Sequence, residues 1–207
     1  MAISIRAHLA EFGITESIGR IGLSRLIDMI ASGDDDRITG VTRRALMCLV
    51  DQCRLLQDQI LELDRQVMAW HRSNEASKRL ATIPGIGPLA ASALVASVGD
   101  ASNFKNGRSF AAFIGLVPKQ SSSGGKERLG MISKRGDHYL RWLLVVGSLA
   151  VIRYAQRHGT RRPWLLTLLQ RRTPKIAAVA MANKMARIAW VLMARGGAYR
   201  EPLPQAA

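Results

Sequence analysis

The chain of 207 residues is 48% hydrophobic and 22% charged, a globular composition with enough apolar material for one or two real cores. Its formal net charge of +15, with an isoelectric point near 11.1, calls for a polyanionic partner, an anionic membrane face being the alternative. Two cysteines offer no zinc-ligand set, the start lacks a basic-then-apolar signal segment, and the longest apolar run, residues 142–152, is too short for a bilayer; a soluble, cytoplasmic protein is expected.

Residues 15–32 read as a short amphipathic helix, with Ile18, Ile21, Leu26, Ile27 and Ile30 on its apolar side. Asp34, Asp35 and Asp36 follow. Consecutive loop aspartates point in different directions, so turn and cap roles suit them better than a metal site. Leu46, Leu49, Cys53, Leu56, Ile60, Leu63, Val67 and Trp70 then recur at alternating spacings of three and four, which predicts a long helix over 41–72 in a coiled coil. Cys48 and Cys53 fall inside it as small core residues. The neighbouring Gln52, Gln57, Gln59 and Gln66 specify a partner weakly; a second copy is expected on the seam over 46–70, in preference to the 15–32 helix. Next, "LATIPGIGPLAASALVASVG" predicts helices over 73–82 and 88–98 joined by a tight turn. Gly85 and Gly87 suit positive φ there, and Pro88 suits the first turn of a helix. The stretch resembles a helix-hairpin-helix, in which hairpin amides and a helix N-terminus face a phosphate; a plain αα-corner is the alternative.

Residues 106–118 read as a short buried helix around Phe110 and Phe113 that ends at Gly115. The segment 118–133 has room for a small β-hairpin. A helix starts near Asp137 with Leu140, Leu143, Leu144 and Leu149 inward, "RHGTRRPW" makes a basic turn, and residues 164–169 form another short helix. In a last helix over 175–194, Met181, Met185, Ile188 and Leu192 make a wide apolar face, and Asn183, Lys184 and Arg187 a narrow polar one. Alternation of the strand kind is absent elsewhere, so a mainly α fold is expected. Its divisions are a helical linker and coiled coil over 1–72, a basic helical domain over 73–198, and a frayed tail over 199–207.

The charge is lopsided. Up to Val117 thirteen Lys and Arg face twelve acids; from Pro118 onward seventeen face three. An imbalance sustained through half a chain predicts nucleic-acid contact. Within that half, "PKQSSSGGKERLG" places three serines among cations. A serine is a poor nucleophile until a base or metal assists it and donors neutralise the charge that develops at phosphorus. Lys119, Lys126, Arg128, Lys134 and Arg135 could be such donors, and Gly124 and Gly125 allow close approach. His138 reads as a cap-region or phosphate-contact residue more readily than as a base. On the residues alone, a passive loop and a phosphodiester nucleophile both remain open.

The succession "TIPGIGPLAASALVASVGD", "FAAFIGLVPKQSSSGGKERLGMISKRGDHYLRWLLV" and a closing helix resembles the C-terminal transposase domain of IS-110 family insertion sequences, the Piv/MooV-type recombinases, over about residues 73–195. "RAHLAEFGI" and the helical stretch after it resemble the linker and coiled coil of the same proteins. The resemblance implies DNA transposition and recombination through a serine that becomes linked to DNA. That serine directly precedes a glycine beyond "GLxP", which corresponds to Ser123, with Ser121 and Ser122 as neighbouring candidates. Phosphate contacts are expected from the hairpin and the basic half, at Gly85, Gly87, Lys119, Lys126, Arg128, Lys134, Arg135, Arg141, Arg161, Arg162, Arg171 and Arg172; the resemblance implies a structured guide RNA as a further partner, and a nucleoid-associated location is expected. Family members carry their divalent metal on four acids of a RuvC-like domain. The first seventy residues here show no such strand pattern with spaced acids. The expectation is therefore no metal or cofactor site in this chain, Mg²⁺ only with a RuvC-like partner, and inactivity alone; the alternative is a truncated remnant that only binds nucleic acid or pairs with an intact transposase.

Overall fold

A computed structural model describes residues 1–120, 129–160 and 162–201. The chain divides into two compact units, Met1–Gln66 and Val67–Ala207. The first begins with α1 (Ala2–Glu11) and α2 (Arg20–Ser32), and α3 (Gly40–Ser73) follows. Ile5, Leu9, Leu26, Ile30, Leu46 and Val50 fill the core of this unit, each at most 2% exposed. The helix expected from residue 15 starts only at Arg20, leaving Ile18 almost fully exposed. The chain enters the helix through Gly19 at φ 125° and folds over its first turn, where a Cβ on Gly22 would lie 2.0 Å from the Ser17 carbonyl oxygen.

The long helix is continuous over 34 residues, as its period predicts. Its seam is filled only in part. Leu46 and Cys53 are buried within the first unit, with Val50, off the expected seam, fully buried between them; Leu56, Ile60 and Leu63 are exposed. Cys48 is exposed, contrary to the core role expected for it. Two residues beyond Leu46 it has turned about 200° around the helix, onto the opposite face.

The second unit contains α4 (Glu75–Ala81), α5 (Pro88–Val98), a 3₁₀ turn (Ala101–Asn103), α6 (Gly107–Phe113), strands β1 (Pro118–Gln120) and β2 (Leu129–Ile132), α7 (His138–His158), α8 (Pro163–Arg171) and α9 (Pro174–Arg195). The fold is mainly α, with one small antiparallel pair among the described residues. By length and composition α9 could cross a membrane, unlike the shorter run at 142–152. In this fold it is the central helix: Ala177, Ala178, Ala182, Ala186 and Ala189 are fully buried, and α4, α6, α7 and α8 pack around it. Small side chains let those neighbours approach closely. A separate close approach joins α7 to the turn between α4 and α5, where a Cβ on Gly147 would stand 1.9 Å from the Gly85 carbonyl oxygen.

Candidate functional site

The stretch from Phe113 to Arg141 builds the foot of a hairpin. After α6, Gly115 turns the chain at φ 79°, and the Leu116 N–H donates back to the Ala111 carbonyl at 2.9 Å. The returning strand closes on the same place. The Ser133 N–H donates to the Val117 carbonyl at 2.9 Å, and the Lys134 N–H to that of Gly115 at 3.1 Å. A Cβ on Gly115 would lie 2.0 Å from the Arg135 carbonyl oxygen, and one on Gly136 would lie 1.7 Å from that of Phe113. Glycine is required at both positions because two backbones touch there. Lys134 itself sits at φ 55°, a left-handed conformation that costs a residue with a Cβ roughly 1–2 kcal/mol.

Two side chains brace this foot from behind. Arg141 Nη1 donates to the Ile114 carbonyl at 2.8 Å, and Asn183 Nδ2 donates to the Leu116 carbonyl at 2.9 Å. The Asp137 carboxylate caps α7 by accepting the Leu140 N–H at 2.9 Å, which fixes where Arg141 emerges. Arg141, expected among the phosphate contacts, is only 8% exposed and committed to the protein's own backbone. It acts as a brace, and is not among the cations offered to a ligand.

Above the foot, β1 and β2 pair antiparallel, Pro118 opposite Ile132 and Gln120 opposite Leu129, with a register irregularity between them that sets Lys119 against Gly130. Lys119, Lys134 and Arg135 are exposed on this short ribbon and its exit, and none pairs with a carboxylate among the described residues. Ser121, Ser122, Ser123, Gly124, Gly125, Lys126 and Arg128 lie outside the described residues, as does Arg161. Arg171 and Arg172 are exposed at the end of α8.

Arg162 is engaged: its Nε and Nη2 donate to the two Glu201 carboxylate oxygens at 2.7 and 2.8 Å. The Tyr199 N–H donates to Thr82 Oγ1 at 3.0 Å, so residues 199–201 are docked where a frayed tail was expected. The Arg162 hydrogen bond holds the Glu201 carboxyl below the usual carboxylate range. A carboxyl lowered by folding stabilises above its unfolded pKa, and that contribution is lost as pH falls through the folded value. Acidification from neutral should therefore release the tail. The pair is solvent-screened and contributes at most about 1 kcal/mol. By NMR, the Tyr199 amide resonance should follow Glu201 protonation, and Glu201→Gln should abolish that titration; a variant that titrates like the wild type would refute the coupling.

Between α4 and α5, Ile83 and Ile86 are buried at 2% exposure, and the Ile86 N–H donates to the Ile83 carbonyl at 2.9 Å. Positive φ, expected at both glycines, occurs only at Gly85 (90°); Gly87 has φ −85° and is exposed ahead of Pro88. Gly85 is pressed against Gly147, its would-be Cβ 2.9 Å from that residue's carbonyl oxygen, whereas nothing lies within 4 Å of a Cβ on Gly87. Gly85→Ala should therefore destabilise by about 2–3 kcal/mol, and Gly87→Ala by no more than about 0.5 kcal/mol. Chemical denaturation measures both, and equal effects would contradict the assigned packing role of Gly85.

A serine–histidine pair absent from the sequence reading lies nearby. His71 Nδ1 is 2.7 Å from Ser77 Oγ, and Ser77 Oγ is 3.4 Å from Ser92 Oγ. Ser77 is fully buried and Asn74 caps its helix through its N–H, so the trio ties the end of α3 to α4 and α5 and presents no nucleophile to solvent. Among the described residues, no three His, Cys, Asp or Glu side chains converge as a metal cage.

Comparison with known proteins adds an independent line. Residues 77–162 match the transposase family IS116/IS110/IS902. The sequence is 43% identical, over its whole length, to a Sinorhizobium fredii protein assigned as transposase y4pF/y4sB, of which it spans 53%. It is 44% identical over 95% of its length to a Pseudomonas aeruginosa protein assigned to the family 20 transposases, spanning 59% of it. With the transposase for insertion sequence element IS1111A of Coxiella burnetii it shares 38% identity over 95% of its length, against 54% of that protein. The chain thus spans a little over half the length of these curated relatives.

Proposed function

Because this chain belongs to the IS116/IS110/IS902 transposase family, whose domain it carries over residues 77–162, we propose that its second unit handles DNA phosphodiesters in transposition. The observation that carries this reading is the braced hairpin foot. Its outgoing arm is pinned at Ile114 and Leu116 by Arg141 and Asn183, the returning arm is bonded to it through the Ser133 and Lys134 amides, and Lys119, Lys134 and Arg135 are exposed on the two. A site built on fixed elements is the arrangement that pre-organised chemistry needs. Ser123 is the nucleophile. Its Oγ forms a bond to phosphorus as a deoxyribose oxygen leaves, the serine proton passing to a carboxylate of a RuvC-like metal-binding domain. Lys126 and Arg128, with the three described cations, offset the charge at phosphorus. Gly87 and the start of α5 meet a neighbouring phosphate of the duplex, and Arg171 and Arg172 extend the same basic surface.

Mg²⁺ would be held by the carboxylates of a RuvC-like domain, with positioning and charge as this chain's own share. Sequence choice would come from a structured guide RNA that pairs with DNA, while these cations hold backbones. The exposed Leu56, Ile60 and Leu63 supply the apolar seam for a second copy of the chain. The test is a covalent one: DNA incubated with this chain, Mg²⁺ and a RuvC-like domain in trans should yield a denaturant-resistant protein–DNA adduct, released by nuclease as a phosphoserine-linked nucleotide. Salt-sensitive binding with no adduct under these conditions would reduce the protein to a nucleic-acid-binding remnant.

A further inference from the structure

A groove of about 740 Å³ runs between α6, α8 and α9, within the range of ~300–1,000 Å³ that holds small ligands. Its construction begins at Gly107, where a Cβ would stand 3.1 Å from the Cα and carbonyl oxygen of Arg187. That close approach lays α6 on α9 and brings Arg108 alongside Arg187. Lys184, three residues before Arg187 on α9, shares its face. These three exposed cations line the groove with no carboxylate among the lining residues, and none of them forms an ion pair among the described residues. Glu201 feels the charge of Lys184, but it is bonded to Arg162. Like charges gathered in a concavity repel one another and raise the local potential, an arrangement that an anionic ligand relieves.

A second, independent feature identifies the anion further. Trp164 lines the same groove, 41% exposed, with Lys184 Nζ 4.4 Å from its ring centroid. The adjacent Leu165 is fully buried and anchors α8, so the indole is held at the surface by its neighbour. An indole plate beside cations that lack carboxylate partners, with Lys184 over one of its faces, is the pattern of single-strand binding, in which bases stack on aromatics and phosphates meet Arg and Lys. A base-paired duplex keeps its bases from such a plate, and inorganic phosphate has no use for one.

We propose that this groove binds an unpaired nucleotide of a nucleic-acid strand, the base stacking on Trp164 and the flanking phosphates held by Arg108, Lys184 and Arg187. The inference rests on the nucleic-acid role proposed above and assigns it a distinct subsite. Asn183 connects the two: it lines the groove while its amide nitrogen holds Leu116, so a strand seated here lies against the helix that braces the hairpin foot.

The experiment measures fluorescence anisotropy of labelled oligothymidylate, oligouridylate and a DNA duplex with the full chain over a salt series. Trp164→Ala should weaken binding of at least one single strand by about tenfold while duplex affinity changes less than about twofold. Trp164→Phe, which keeps a ring, should restore most of the loss, and circular dichroism should show both variants helical. Arg108→Gln combined with Arg187→Gln should also lower the single-strand salt slope by roughly 1.4. Trp164 dependence with either strand supports the groove, and the two strands report which sugar it prefers. Wild-type binding that Trp164→Ala leaves unchanged, or weakens equally for single strand and duplex, overturns the groove and leaves the hairpin reading standing. A wild-type chain that binds none of the three in a salt-dependent manner overturns both.

Discussion

Ser123→Ala is expected to cut the covalent protein–DNA adduct at least about 10³-fold, to background, with the RuvC-like domain and Mg²⁺ present. In the proposed step the alcohol oxygen forms the new bond to phosphorus, and alanine has no oxygen to offer. Ser121→Ala and Ser122→Ala should stay within about tenfold of wild type. Neither precedes a glycine, and the approach of backbone to a phosphodiester is easiest at Ser123, which is followed by Gly124 and Gly125. Salt-dependent DNA binding should survive all three changes within about twofold, since a neutral hydroxyl contributes no counter-ion release. That separation of adduct from affinity also distinguishes a catalytic half from a remnant that only adheres. Full adduct yield from Ser123→Ala would exclude it as the nucleophile, and loss at Ser122→Ala instead would move the assignment one residue.

Helix positions were readable because apolar period is local information, and α3, α5, α7 and α9 lie close to where their spacing puts them. The filling of a seam is not local. Leu46 and Leu56 carry the same signal in the sequence, yet only the first is covered, since covering depends on helices that sit elsewhere in the chain. The basic surplus likewise marks a region without ranking its members. Arg141, Arg162 and Arg135 are equivalent in composition; one is a buried brace, one is engaged by Glu201, and one is exposed. The signature glycines Gly115 and Gly136 stand out in "GLVP" and "SKRGD", but the reason for them is contact between two backbones brought together by the fold. The groove escaped the sequence reading for the same reason, as Arg108, Trp164 and Arg187 come from three helices. Its available trace was the polar stripe of Asn183, Lys184 and Arg187 on the otherwise apolar α9.

Gly136→Ala should lower stability by roughly 3 kcal/mol, because two penalties coincide. Its φ of 94° is costly for any residue with a Cβ, and that Cβ would stand 1.7 Å from the Phe113 carbonyl oxygen, a backbone atom that cannot swing aside. For a chain of this size the melting temperature should fall by about 6–12 °C. Gly159→Ala separates the two penalties: its φ of 75° with ψ of 173° is also a glycine conformation, but nothing lies within 4 Å of the added carbon, so about 1–3 kcal/mol is expected, less than at Gly136. The excess at Gly136 is then the cost of prising apart the two arms of the hairpin foot. Such a change should reach the chemistry as well. The Lys134–Gly115 hydrogen bond would loosen with the arms, and Lys134 and Arg135 at the ribbon exit would shift relative to β1. Measured well below the melting transition, where both variants are folded, Gly136→Ala should form adduct at least about tenfold more slowly than Gly159→Ala, since a small misplacement near a reacting centre costs orders of magnitude in rate. Equal melting temperatures and equal adduct rates for the two variants would mean that the foot bears no load, and that the loop is positioned by something other than Gly115, Gly136 and their braces.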